Sequence, residues 1–400
     1  MNIAIVGAGP AGLTCAIQLA KYKHHVTVFE KKTELSYQGS GVLLQPVGLL
    51  ALQHLGLDRK AIDLGRRIET ISGIETRKNK NIVAVDYRTL GKIPFTVGID
   101  RSALWNLLFE TSAHLNIDFM PEKIIQGDIY DNHNRLKLID QHHVEYSGFD
   151  LVIDASGAHS SLTTHCIKST KSIVQDYGSL WTKLPLPNGS SFDQNCMQLF
   201  SSKDNIGIGI LPTGIDTISG QNMATLFFNL KWRDWQPDNF DAWKENIIAI
   251  WPDTGSLLSS LTQPEQLYLA RFRHHTRLSP YGDRIAFIGD SAHSSNPQLG
   301  QGINMSLVDA VVLSDVLKNT GREDINQALK KYSKLRRSHV WVYQTLAKML
   351  SPFYQSSNSR AIALRDALYP LLFKLPMIRE LTAYILSGTI TSPLKKINQK

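Results

Sequence analysis

Gly7-Ala8-Gly9-Pro10-Ala11-Gly12, set between Ile3-Ala4-Ile5-Val6 and the stretch Leu13–Lys21 that leads to His25-Val26-Thr27-Val28-Phe29, decides the fold. The two short β-branched runs read as strands, and Leu13 to Lys21 carries apolar residues at helical spacing. Strand, glycine turn, helix and strand make a βαβ unit, and parallel neighbours need such a crossover. The glycines have separate tasks: a tight turn, close backbone approach to a pyrophosphate, and close helix–strand packing. The helix N-terminus offers free N–H groups and a positive dipole end to the anion. Glu30, closing the second strand, is placed to accept a hydrogen bond from an adenosine ribose hydroxyl. Alone, a GxGxxG is weak and reads equally as a structural turn. With strand, helix and acidic residue in register it is strong.

Working outward, Leu151-Val152-Ile153 and Ile285-Ala286-Phe287-Ile288 read as further buried strands, the second followed by glycine and a helical pattern. Between them, from Ser172 to Ala270, short alternating runs such as Ile206–Leu211 and Thr225–Leu230 are broken by Pro, Gly, Asn and Asp. That texture predicts an antiparallel sheet inserted into the α/β domain, and Arg66–Tyr87 is expected to contribute to it. Beyond Arg322 the pattern is helical, with interruptions expected at Pro352, Pro370 and Pro376. A chain of 400 residues exceeds the ceiling of roughly 250–300 for one hydrophobic core, so two interlocked domains are expected.

A second glycine-rich segment carries chemistry: Gly289-Asp290-Ser291-Ala292-His293, then Pro297, Gly300-Gln301-Gly302, Asn304 and Asp309-Ala310. A carboxylate at a strand end beside a glycine turn suits a polyol hydroxyl and a close-lying planar ring. Gly300 and Gly302 let backbone N–H groups approach a ligand with no Cβ in the way. A helix opening near Gly302 directs its positive end toward a ring that becomes anionic on reduction. The bland reading, an αL turn next to a helix, leaves the Asp290–Gly302 arrangement unexplained.

The pair of segments resembles the class A flavoprotein monooxygenases, the para-hydroxybenzoate hydroxylase fold. That family carries an N-terminal dinucleotide fingerprint, a central DG motif and a late motif of the form GDAAHxxxPxxGQGxN, matched here with Ser291 for the first Ala. The resemblance extends to Asp100-Arg101-Ser102-Ala103-Leu104, where the family's Arg reaches FAD, and to the glycine-rich approach to a helix at Gly39–Gly56. One departure stands in the central motif, Asp154-Ala155-Ser156-Gly157, where Ser156 replaces the family's Asp. That motif is associated with FAD and NAD(P)H binding, so reductant handling is where the analogy is weakest.

The resemblance implies an α/β fold with a Rossmann-like FAD-binding domain over 1–65, 88–171 and 271–345. A mainly antiparallel β substrate domain over 66–87 and 172–270 and a helical segment over 346–400 complete it. FAD contacts are implied at Gly7, Gly9, Pro10, Ala11, Gly12, Glu30, Lys31, Gly41, Val42, Arg101, Ser156 and Gly157. In the late motif they fall on Gly289, Asp290, Pro297, Gly300, Gln301, Gly302, Ile303 and Asn304. The implied reaction reduces FAD with transiently bound NADPH or NADH, then uses a flavin hydroperoxide to hydroxylate or epoxidise a small aromatic or unsaturated substrate with molecular oxygen. Competing readings are a reductase, dehydrogenase or halogenase on the same scaffold, and a non-catalytic flavin-binding module. Against the halogenases, their Trp-x-Trp-x-Ile-Pro motif is absent, and Trp181-Thr182-Lys183-Leu184-Pro185 is no substitute.

Composition narrows the rest. Apolar residues are 42 % and charged residues 20 % of the chain, an ordinary globular balance. The net charge is +8, but Lys and Arg are spread out, and the dense run Lys330, Lys331, Lys334, Arg336 and Arg337 reads as a solvated helix face, not a nucleic-acid patch. Cys15, Cys166 and Cys196 show no metal-ligand spacing and no disulfide pattern, which fits a reducing, cytoplasmic setting. No signal peptide is visible and no apolar run reaches the roughly eighteen residues that span a bilayer. Contact with membrane is therefore at most peripheral, through the apolar C-terminal stretch with Arg379, Lys395 and Lys396, and a monomer or homodimer is expected. No catalytic residue is assigned. His293 reads as a turn histidine satisfied by backbone, His274 and His275 as surface residues, and Tyr177 and Trp181 as either pocket lining or core.

Overall fold

The strand Asn2–Val6 lies inside a six-stranded sheet, paired in parallel with His25–Phe29 on one side and Leu151–Asp154 on the other. The computed structural model describes residues 1–33, 40–75, 80–126, 136–168, 170–187, 189–201, 207–216, 219–356 and 358–394. Gly39, Ile206, Lys395 and Lys396 lie outside the described residues. Ile117–Met120 extends the sheet at one edge, and Ile285–Phe287 followed by Tyr281–Gly282 at the other. The central strands are buried on both faces, which is why they read as continuous apolar runs. Helices α1 (Pro10–Lys21), α2 (Pro46–Leu55), α3 (Asp58–Leu64) and α4 (Arg101–Ala113) supply apolar side chains to the core built on this sheet.

An eight-stranded sheet forms the second layer, in the order His293–Ser294, Tyr268–Thr276, Ile173–Pro185, Asn222–Lys231, Gly207–Ile215, Cys196–Ser201, Thr70–Glu75, Lys80–Asp86. Its pairs are antiparallel except Cys196–Ser201 with Thr70–Glu75. Alternation sorts the faces. Leu180, Leu184, Leu226, Phe228 and Ile210 form one core with Trp243 and Ile247 of α5 (Phe240–Ile250) and Leu257 of α6 (Thr254–Leu258). Trp181, Lys183, Thr225, Phe227 and Gly209 fall on the other face. The expected single contribution from Arg66–Tyr87 is split: Arg66–Ile68 pairs instead with Thr96–Asp100, in a small sheet that also holds Gly41–Leu44.

The chain closes with α7 (Gly302–Leu317), α8 (Ile325–Tyr354), α9 (Ser359–Leu372) and α10 (Pro376–Leu386). Pro352 and Pro370 do not interrupt their helices as expected. Both sit in the last turn, and each helix ends two residues beyond its proline, while Pro376 opens α10 where its missing N–H goes unused. Among the described residues no helix is long and apolar enough to cross a membrane.

The basic run on α8 is also corrected. Lys330, Lys331, Lys334 and Arg337 are exposed, but Arg336 points inward and is 1 % exposed. Its Nε donates to Asp309 Oδ1 of α7 at 2.6 Å, and its Nη1 donates to His339 Nδ1 at 2.5 Å. His339 Nε2 in turn donates to the Gly388 carbonyl at 2.7 Å, just past α10. Burial, reinforced by the Arg336 charge, holds the His339 imidazole down at about 3. A basic group depressed in the fold stabilises it fully above its unfolded value, near 6.5, and that contribution is lost as pH falls toward the folded value. The urea midpoint should therefore fall as the pH is lowered from about 7 to about 4. His339→Gln should reduce that slope, and an unchanged slope would show that His339 is not a source of it.

Candidate cofactor-binding site

The three glycines of the first turn divide their tasks as the physics demands. Gly7 has φ +107°, and a Cβ there would lie 2.5 Å from the Ala155 carbonyl oxygen. At Gly12 a Cβ would lie 1.9 Å from the Gly7 carbonyl oxygen. Both are fixed by packing. Gly9 differs: it is the N-cap of α1, in extended conformation, and a Cβ would meet no protein atom within 4 Å. Pro10 follows at the first helical position, so the helix opens onto free space with its N–H groups forward.

Two other segments converge on this turn. The Ala155 N–H donates to the Val6 carbonyl, and the Asp154 carbonyl accepts from Ile288 N and from Ser291 Oγ. Gly289, in the αL region at φ +64°, fits between Ala11 of α1 and Ser306 of α7, where a Cβ would sit 3.3 Å and 2.9 Å from them. The fingerprint, the central motif and the late motif thus share one site. Asp290 is exposed beside the start of α1. Crowding by protein pushes its carboxyl upward against the opposing charges of Arg101 and His293, and open water screens much of that push. Arg101 is the first residue of α4, whose N-cap Asp100 accepts from Ser102 N at 2.8 Å.

Glu30 is held by the fingerprint turn itself: Oε2 accepts from Ala8 N at 2.7 Å and Oε1 from Lys32 N at 3.1 Å. Lys31 beside it is exposed. Ser156 donates through Oγ to Asp154 Oδ1 at 2.6 Å, and Ser160 Oγ donates to Oδ2 of the same buried carboxylate. Burial raises the Asp154 carboxyl and these hydroxyl donors oppose the rise. The Asp that the family would carry at Ser156 is absent, and Ser156 with Gly157 (φ +90°) instead completes a turn stapled by Asp154.

Several expected cofactor residues are committed to protein partners through their side chains. Asn304 donates to the Leu43 and Gly300 carbonyls at 3.0 and 2.8 Å and accepts from Gln45 N at 2.9 Å. Gln301 Nε2 donates to the Leu386 carbonyl. Gly41 gives its N–H to Thr225 Oγ1 at 2.6 Å, and Thr213 Cγ2 leaves no room for a Cβ. Val42 packs against the main core, and Ile303 does the same from α7. The Asn304 side-chain amide and the Gly41 N–H are thus held by protein partners in the cleft wall. Pro297 opens a 3-10 turn that ends at Gly300, whose φ of +58° favours glycine. Gly302 at the start of α7 is exposed, with no protein atom within 4 Å of a Cβ.

The residues fit an extended dinucleotide: two open glycine positions at two helix N-termini, an exposed carboxylate and a neighbouring guanidinium. His293 is corrected. Its Nε2 donates to Asp309 Oδ2 at 2.7 Å in a buried pair, so a carboxylate, not backbone, satisfies it. Asp309 Oδ2 also accepts from Gly289 N at 2.8 Å. Burial alone would raise the Asp309 carboxyl, but the His293 and Arg336 charges hold it well below the usual range. His275 is corrected too: it is buried on its strand, and burial takes its imidazole down to about 4. His274 beside it is half-buried. Sequence reading missed Trp105, whose Nε1 donates to the Ala8 carbonyl at 2.7 Å across the fingerprint turn. It also missed Lys183, which bridges Asp100 and Asp216 at 2.8 Å each and ties the large sheet to the start of α4.

The family described as FAD binding domain matches residues 1–347. A kynurenine 3-monooxygenase of Candida albicans is 25 % identical over 394 residues, covering 89 % of this chain and 80 % of that protein. An FAD-dependent urate hydroxylase of Mycolicibacterium vanbaalenii is 23 % identical, covering 84 % of each. Among solved structures, Klebsiella pneumoniae HpxO complexed with FAD and uric acid superposes with a TM-score of 0.81 at 19 % identity, covering 97 % of each chain.

Gly9→Val places a branched side chain in open space with a compatible backbone, so the protein should fold normally and lose its flavin. Absorbance of the purified protein and its melting temperature check both halves. Retention of full flavin would remove Gly9 from the site. Asp290→Ala should weaken FAD binding by about 1.5–3 kcal/mol, the worth of a charge-assisted hydrogen bond. Flavin titration of the apoprotein measures it.

Proposed function

We propose, from the premise that this chain belongs to the FAD binding domain family and is an FAD-dependent monooxygenase, that it inserts one oxygen atom into a small aromatic ring compound held against the inner face of the eight-stranded sheet. The observation that carries the substrate side is Trp181. Its indole Nε1 is buried without a hydrogen-bond partner among the described residues, beside the Phe227 ring at 6.0 Å between centroids. Gly209 makes room for that ring, since a Cβ there would lie 1.9 Å from it. An orphaned N–H beside two aromatic surfaces suits a flat ligand with a carbonyl, hydroxyl or ring-nitrogen acceptor. Relatives named for kynurenine and urate support a ring substrate.

The place of that face also supports the reading. On the same face, two residues along each strand from Trp181 and Phe227, Lys183 reaches Asp100 and Thr225 holds Gly41. The aromatic pair therefore borders the cofactor cleft. FAD supplies the two-electron reduction by NADPH or NADH and the reaction with oxygen. The balanced change takes substrate, O2, NAD(P)H and a proton to hydroxylated product, water and NAD(P)+. The chain's own residues bind and orient. The α1 N-terminus and Arg101 would hold the anionic bridge of the dinucleotide, Asp290 would accept from one of its hydroxyls, and the N-terminus of α7 would offer its positive end to the ring. Trp181 fixes the substrate's plane and direction, and the sheet keeps bulk water from it.

Trp181→Phe keeps a ring and removes the N–H. It should raise the substrate KM roughly two- to tenfold with flavin content unchanged, matching the net worth of one hydrogen bond. An unchanged KM would take Trp181 out of the substrate site. Labelled oxygen gas tests the reaction class itself: the label should appear in product, and product formed without oxygen would move the chain to the reductases.

A further inference from the structure

The cores account for most of this chain's apolar side chains, while the C-terminal hairpin of helices carries several exposed ones at regular spacing. Leu364, Leu368 and Leu371 of α9 and Leu375 in the turn after it recur at three- and four-residue spacing. All four face solvent, with Leu371 61 % and Leu375 51 % exposed. Met377 and Leu381 of α10 continue the surface at 70 % and 50 %. This stripe is not what attaches the hairpin to the body. Arg365, buried on the other side of α9, donates to Asp366, to the Phe353 carbonyl and to Ser201 Oγ of the large sheet. Phe373, Ala383 and Leu386 are buried as well. The helices thus have an inward face that is satisfied and an outward apolar face that, among the described residues, is left to solvent, and a patch of that kind marks a docking surface.

Charge around the stripe selects the occupant. Arg360 and Lys374 are exposed on α9 and in the turn after it, and Arg379 lies on α10 within reach of the Asp86 charge. Of the carboxylates on α9 and α10, Asp366 is paired with Arg365, which leaves Glu380. A second copy of this chain would bring the same cations against these cations. An anionic lipid surface complements them while accepting the leucines at the boundary of headgroup and acyl chain. We infer that α9 and α10 seat the protein on the surface of a bilayer containing anionic lipid, apolar stripe inward and Arg360 and Lys374 at the phosphates. No described helix crosses a membrane, so the attachment is peripheral. The inference stands independently of the substrate assigned to the cleft.

Flotation of the full-length, FAD-loaded protein with vesicles of phosphatidylcholine and phosphatidylglycerol tests it, against vesicles of phosphatidylcholine alone. Binding should require phosphatidylglycerol and fall at high salt. The double substitution L371E and L375E should weaken it roughly tenfold or more, with flavin content and melting temperature unchanged. M377E, on the other helix, gives an independent reading should the double variant lose flavin. K374E should weaken binding to the anionic vesicles alone. The absence of flotation with anionic vesicles overturns the inference, as does flotation indifferent to both sets of substitutions. Self-association in analytical ultracentrifugation that these substitutions abolish, without flotation, assigns the face to a second copy and overturns the lipid.

Discussion

One buried carboxylate fixes how the late motif meets the rest of the molecule. Asp309 accepts from the Gly289 N–H and His293 on one oxygen and from Arg336 on the other. It thereby holds the turn that presents Asp290, the strand leading to the large sheet, and the long helix α8. Through Arg336 and His339 the same chain of contacts reaches Gly388 beyond α10. A charge cluster buried this deeply is tolerated because each member has partners. Removing one member leaves the others uncompensated at about 3–5 kcal/mol.

Around it, glycine does two different things. Gly7, Gly12, Gly41 and Gly289 are where backbones or neighbouring side chains come closer than a Cβ permits. Gly9 and Gly302 border open space at two helix starts, the positions the proposed cofactor site would use. The distinction separates residues that shape the cleft from residues that face into it. It also explains why Asn304 and Gln301 belong to the motif: their amides bind backbone carbonyls and hold the cleft wall in place.

The two sides of the cleft rest on different physics. The cofactor side uses helix termini and backbone, features that tolerate little variation. The proposed substrate side uses side chains alternating along strands, where Trp181 and Phe227 share one face and Gly209 leaves room for the Phe227 ring. Lys183 joins the two, carrying its charge from the sheet to the N-cap of α4.

The sequence by itself determined the βαβ unit and the parallel sheet around Asn2–Val6, because both are written in local spacing and glycine placement; the meeting of fingerprint and late motif was implied only by the family resemblance. It also carried the inserted sheet as alternation, though not the diversion of Arg66–Ile68 into a smaller sheet. Only the tertiary structure decided which polar residues are spent internally. Arg336 sits in a run of cations that reads as solvated, and its single inward position shows only when α7 places Asp309 opposite. His275 and His293 likewise take their burial from strands and helices distant in sequence. Trp105 has no motif, and its bond to Ala8 exists because α4 packs on α1. The outward leucines of α9 read equally well as core until the structure put Arg365, a charged residue, on the buried side. Periodicity fixes that a helix has faces, but which face is buried depends on what the rest of the chain brings against it.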